Sequence, residues 1–183
     1  MKVIAIYPGR FQPPGPHHAK VYEWMKGKFG TNSFIATSNK FDPYQSPFHF
    51  DLKKEVLKQY GITNVVETKQ PYRPIEILEK FDPEKDCAIF IYGQKDEGRL
   101  QYTKKDGSKG YFQPFPSDSS EIRPFKEHSY VVIAQHMKGL SDDEVSGTLL
   151  RKELKNATPE EFENLMGWYN KSLYLEIQKC LNF

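Results

Sequence analysis

The sequence predicts an α/β protein: a parallel sheet with helices on both faces, a small hairpin insertion and helices at the C-terminal end. Three observations carry that prediction. Short β-rich apolar runs alternate with segments of helical spacing, a pattern that favours parallel strands joined by helical crossovers. The 183 residues are 38% hydrophobic and include 13 Phe, 11 Tyr and 2 Trp, enough apolar material to bury one core. Polar, glycine-bearing clusters follow three of the expected strands, where an open α/β sheet collects its ligands.

Taken in order, residues 2–7 form a β-rich run that Pro8-Gly9 stops, a buried first strand feeding a turn. Pro13, Pro14, Gly15 and Pro16 stiffen the loop that follows. Residues 17–29 then place Val21, Trp24 and Met25 on one helical stripe, ended by Gly30 and Asn32. Residues 33–37 read as a second strand, and an aromatic loop over 41–50 leads into a helix from Asp51, its expected cap, to about Tyr60. A third strand over 65–67, a Pro71-Tyr72-Arg73-Pro74 loop, a short helix over 75–80 and a fourth strand over 88–92 continue the alternation. Asp106-Gly107 sits between 100–103 and 111–115 as the tip of a hairpin inserted at about 99–116. Residues 130–134 read as a fifth strand, Ser146 opens a helix to about Lys155, and 159–181 form one or two terminal helices. The division expected is an α/β domain over 1–155 with a helical segment over 156–183 packed on it.

Composition excludes several classes of function. A formal charge of +2 gives no general attraction to nucleic acid, so any basic site must be local. The one local candidate is the hairpin, where Lys104, Lys105 and Lys109 interleave with Tyr102, Tyr111 and Phe112. No apolar run approaches the ~20 residues of a membrane helix, and the first residues lack a signal-peptide pattern, so a cytoplasmic location is expected. Cys87 and Cys180, far apart, suggest neither a disulfide framework nor a zinc site.

The first polar cluster is Gly9-Arg10-Phe11-Gln12 running on to Gly15-Pro16-His17-His18. Glycine lets backbone approach a ligand, a helix start offers N–H groups to phosphate, and Arg10 with two imidazoles supplies further donors. A Pro/Gly turn with two surface histidines is the structural alternative. The second cluster is Ser146-Gly147-Thr148-Leu149-Leu150-Arg151, which puts two hydroxyls on a first helical turn and Arg151 three residues beyond Thr148 on the same face; a plain Ser cap with an exposed Arg has the same spelling. The third follows strand four, where Gly93 leaves room for a base or ribose, Asp96 suits a ribose hydroxyl and Lys95 suits phosphate. A charged turn is its alternative.

With Gly9-Arg10-Phe11-Gln12-Pro13 and His18 near one end and Ser146-Gly147-Thr148-Leu149-Leu150-Arg151 near the other, the chain resembles the HIGH-motif nucleotidylyltransferases over roughly residues 2–155. In wording it is most similar to the archaeal-type nicotinamide-mononucleotide adenylyltransferases. The resemblance implies an α/β fold with a Rossmann-like parallel sheet, a nucleoside triphosphate across the strand ends and direct attack by an acceptor phosphate on the α-phosphorus, with pyrophosphate leaving. It implies that His18 donates to triphosphate oxygens; joined with the residue chemistry above, catalytic roles are expected for His18, His17, Arg10 and Arg151, and nucleotide contacts from Gly9, Arg10, Phe11, Gln12, His18, Gly93, Lys95, Asp96, Ser146, Thr148 and Arg151. Mg2+ would enter with the nucleotide rather than in a protein cage.

The family's first signature reads His/Thr-x-Gly-His, and here Gly15-Pro16-His17-His18 matches only in the final histidine. Gly15 has no side chain to donate, and His17 stands where a glycine is usual, which suggests that His17 does the missing donor's work. The missing Arg-Thr-x-Gly signature of cytidylyltransferases favours ATP over CTP. The acceptor is expected between the loops over 41–50 and 71–74, with Phe48, Tyr72 and Arg73 binding it and Tyr44 or Tyr111 as further rings for stacking; core or lid packing is the alternative for each aromatic, and a solvated loop position for Arg73. A CTP-using enzyme and a nucleotide-binding protein that has lost catalysis are the alternatives.

Overall fold

The computed structural model describes residues 1–93, 96, 98, 100–134 and 146–182. Six strands form one sheet: β1 (Val3–Pro8), β2 (Ser33–Thr37), β3 (Val65–Glu67), β4 (Cys87–Tyr92), β5 (Phe112–Pro114) and β6 (Ser129–Ile133). The order is β3-β2-β1-β4-β6-β5, with every pair parallel. The chain builds outward from β1 in one direction and then returns to build in the other. Crevices at such a reversal lie at the carboxyl ends of the central strands, here β1 and β4.

Alternation along the central strands produces two cores. Ala5, Ile35, Cys87, Ile89 and Ile91 face α1 (Pro16–Phe29) and α2 (Phe50–Gln59), meeting Tyr22, Met25 and Leu57. Ile4, Ile6, Ala88 and Phe90 face the other way, toward Ile77 of the one-turn helix α3 (Ile75–Leu78) and toward Phe125. Helices therefore cover both faces, as a parallel sheet requires. Pro8, which has no N–H to donate, occupies the last position of β1, beyond its registered pairing with β4 at Ile6.

A third core joins the C-terminal helices to α2. Helices α4 (Gly147–Leu154), α5 (Pro159–Met166) and α6 (Lys171–Leu181) enclose Leu150, Leu154, Phe162, Met166, Leu173 and Ile177, and α2 contributes Leu52 and Val56. Ser146, Thr158 and Asn170 each accept a backbone N–H at their helix starts, and Gly167 takes the left-handed conformation that ends α5.

Two local expectations change. Helix α2 starts at Phe50 with His49 in the cap position, and the Phe50 N–H is satisfied by Asn39 Oδ1 at 2.8 Å; Asp51 sits inside the first turn, where a carboxylate favours the helix dipole. A side chain 11 residues away thus replaces the local cap. The hairpin shrinks to a turn closed by the antiparallel bridge between Thr103 and Lys109. The 111–115 arm leaves it to form β5, because pairing with β6 buries Phe112 against Phe90, which a lone hairpin does not offer.

Candidate functional site at the strand ends

The loop after β1 is held from three sides. Gln12 is buried, and its side-chain amide exchanges two hydrogen bonds with the Phe48 backbone, donating to the carbonyl and accepting from the N–H, each at 2.9 Å. The Gln12 carbonyl accepts from Arg151 Nη1 at 2.6 Å. The Arg10 carbonyl accepts from Thr37 Oγ1 at 3.3 Å and Lys53 Nζ at 3.2 Å. Between these anchors Phe11 has φ +49°, a left-handed conformation rare for an aromatic residue. Its buried ring meets Tyr7 at 5.2 Å and His18 at 4.8 Å. Arg10's own side chain is exposed.

Arg151 thereby joins the two sequence clusters. It also donates to Thr148 Oγ1 at 3.3 Å, so the same guanidinium ties the first turn of α4 to the loop after β1. Burial and the nearby Arg10 charge both lower the Arg151 pKa, and two cations held together mark a place that suits an anion. The fit is close around the glycines. A Cβ on Gly147 would lie 3.1 Å from the Gln12 carbonyl oxygen; one on Gly15 would lie 2.9 Å from Leu150 Cδ2 and 3.1 Å from the His17 ring. His17 and Leu150 thus take the space that a side chain at residue 15 would need.

His18 lies on the first turn of α1, and its Nδ1 accepts the Gly15 N–H at 3.0 Å. Burial, and then the neighbouring His17, pull its pKa well below the ordinary histidine value. His18 is neutral at pH 7, and since Nδ1 is an acceptor its proton sits on Nε2. The two imidazole centroids are 3.7 Å apart.

Beside the loop, a cleft of about 520 Å³ is lined by Gly9, Arg10, Lys40, Phe41, Lys69 and Tyr72 among others. Tyr72 stacks on Tyr92 at 5.7 Å and also borders a second cleft containing Asp96. Gly93 has room beside it, since a Cβ there would meet nothing nearer than Asp96 Oδ2 at 4.0 Å. Arg73 faces a different cleft, beside Ile75 and Phe112, rather than the one at Arg10. Phe48 is 1% exposed and packs with Leu52, Val56 and Leu150, so its ring belongs to the core and its backbone to Gln12. Gln12 commits its side-chain amide to the Phe48 backbone and also lines the cleft at Arg10. Lys95 lies outside the described residues. On the hairpin the lysines are exposed, while Tyr102 and Phe112 pack partly into the sheet, which leaves Tyr111 as the exposed ring of the three.

Sequence reasoning missed Lys53, Lys40 and Lys69. Lys53 had a signal: it falls three and four residues before Val56 and Leu57, on the apolar stripe of α2, where a charge is out of place. The two cleft lysines had none, being loop residues brought together by the ends of β2 and β3.

No protein-family model matches the chain, and no curated sequence matches it. Among solved structures, the chain is similar to a Plasmodium falciparum nicotinic acid mononucleotide adenylyltransferase complexed with NaAD. The TM-score is 0.59 at 13% identity, over 100% of this chain and 97% of the other. The six-stranded α/β architecture is therefore shared. No described helix is long and apolar enough to cross a membrane.

Proposed function

We propose that the chain is a nucleotidylyltransferase, moving AMP from ATP to a phosphate-bearing acceptor such as nicotinamide mononucleotide. The observation that carries this reading is the 2.6 Å bond from Arg151 to the Gln12 carbonyl, which unites two phosphate-suited segments 139 residues apart beyond the carboxyl end of β1. The adenylyltransferase fold neighbour supports it.

In this reading the triphosphate lies across the starts of α1 and α4, where first-turn N–H groups and the helix dipoles favour anions. Arg10 and Arg151 neutralise its oxygens, and Thr148 and Ser146 border it. His18 donates its Nε2 proton as a hydrogen bond to an oxygen that gains charge as the Pα–O bond to pyrophosphate breaks. His17, occupying the space beside Gly15, supplies the second imidazole donor. The acceptor phosphate, already anionic, attacks Pα in line; positioning and charge stabilisation, rather than an added base, are what this chemistry requires. Arg10, Lys40 and Lys69 suit that phosphate, and Phe41 or Tyr72 suits its ring.

Mg2+ is proposed as the ion that accompanies the nucleotide. Among the described residues no three His, Cys, Asp or Glu side chains converge into a ligand set, so no step is assigned to a protein-held metal.

The test is pyrophosphate release from ATP, CTP, GTP or UTP with Mg2+ and a panel of phosphorylated acceptors headed by nicotinamide mononucleotide. Release with ATP and that acceptor is the expected result. Release only with CTP and another acceptor overturns the substrate choice, and nucleotide binding without release overturns the enzyme.

A further inference from the structure

Lys53 is 1% exposed, and the chemistry above does not use it. Its ammonium donates to Thr37 Oγ1 at 2.7 Å, the Ser38 carbonyl at 2.6 Å and the Arg10 carbonyl at 3.2 Å. Three protons thus meet three neutral oxygens, and among the described residues no carboxylate forms an ion pair with it. An unpaired buried cation is costly. Burial pulls its pKa down to about 8, against the opposing influence of Glu67 on β3.

What the lysine holds explains why it is there. The Arg10 carbonyl belongs to the peptide plane from which the φ of Phe11 is measured, and Phe11 is the described non-glycine residue at positive φ. Such a conformation is unfavourable for a bulky L-residue and persists only where its surroundings over-determine it. Lys53 and Thr37 grip one side of that strained residue; the Gln12 clamps grip the other.

We propose that Lys53 is a positioning residue of the nucleotide site: its ammonium holds the Arg10–Phe11 peptide in the left-handed arrangement that turns Arg10 outward to the cleft and seats the Phe11 ring against His18. The proposal rests on the nucleotidylyltransferase reading for its ligand but not for its loop geometry, and the two are tested separately.

Lys53→Met keeps the length and removes the charge. In its NMR spectrum the short amide-to-Hα distance within Phe11, diagnostic of positive φ, is expected to lengthen. Isothermal titration with ATP and with inorganic tripolyphosphate is expected to show affinity weakened about tenfold or more, the loss of a charged hydrogen bond. Adding Arg10→Ala to Lys53→Met is expected to weaken binding less than twofold further, since the lysine acts through that arginine. Lys53→Arg should recover part of the affinity. Should Lys53→Met fail to fold, Thr37→Val removes the other donor to the same carbonyl and is expected to shift Phe11 likewise. Retention of positive φ in the folded variant, or full additivity with Arg10→Ala, overturns the proposal. Wild-type protein that binds neither probe overturns the nucleotide reading, while the Phe11 distance still decides whether Lys53 holds the loop.

Discussion

Arg151 reaches from α4 to the carbonyl of Gln12 in the loop after β1, tying together two segments 139 residues apart in the chain. Its planar fork bonds the carbonyl and Thr148 together, which a lysine's point charge does not reproduce. Arg151→Ala is expected to lower turnover about a hundredfold or more and to cost stability by about 1.5–3 kcal/mol. Steady-state kinetics beside urea denaturation separates the two effects, and Arg151→Lys should restore more stability than turnover.

Gly15 is small because His17 and Leu150 already fill its side-chain space. Gly15→Ala should cost about 1–3 kcal/mol through overpacking. In the double variant with His17→Ala much of that cost should vanish, and a double-mutant cycle of thermal unfolding reads the coupling. If His17 is a donor in its own right, His17→Ala lowers kcat as far as His18→Ala does; a change confined to the KM for nucleotide would make it a wall of the base pocket.

His18 carries a pH signature. Its folded pKa lies well below 6.5, so as pH falls below 6.5 the unfolded chain binds a proton that the folded chain refuses. Stability contributed by the neutral ring is full above 6.5 and is lost toward the folded value. Wild type should therefore lose more stability on acidification than His18→Ala, measured as the difference between their urea midpoints along the pH series.

Lys53 has the same sign at the other end of the scale. Its folded pKa of about 8 lies under the ordinary 10.5, so between those values the unfolded chain holds more protons and stability rises with pH. The contribution is about 3 kcal/mol, and Glu67 on β3 is the charge that opposes the shift. The stability difference between wild type and Lys53→Met should move by that order from pH 8 to 10.5; a flat difference would mean an unshifted lysine.

Phe48 tests the boundary between site and core. Phe48→Ala should destabilise by about 3–5 kcal/mol, whereas Tyr72→Ala, at the exposed cleft wall, should leave stability nearly unchanged and raise the acceptor's KM. The opposite pattern would return Phe48 to the acceptor site.

Local chemistry determined much of this protein. Apolar runs such as 88–92, the turn at Pro8-Gly9 and the Ser146 cap depend on near neighbours, and the sequence alone predicted a parallel α/β sheet with polar clusters at its strand ends. What neighbours do not encode, the tertiary structure decided. Whether Phe48 faced a ligand depended on α4 and the C-terminal helices packing over it. Whether 111–115 stayed in a hairpin depended on a free sheet edge at β6. Lys53 acquired its acceptors only when α2 was laid under the ends of β1 and β2. Spacing along a chain specifies which residues share a strand or helical face; the partner that a buried polar group needs comes from wherever folding brings one.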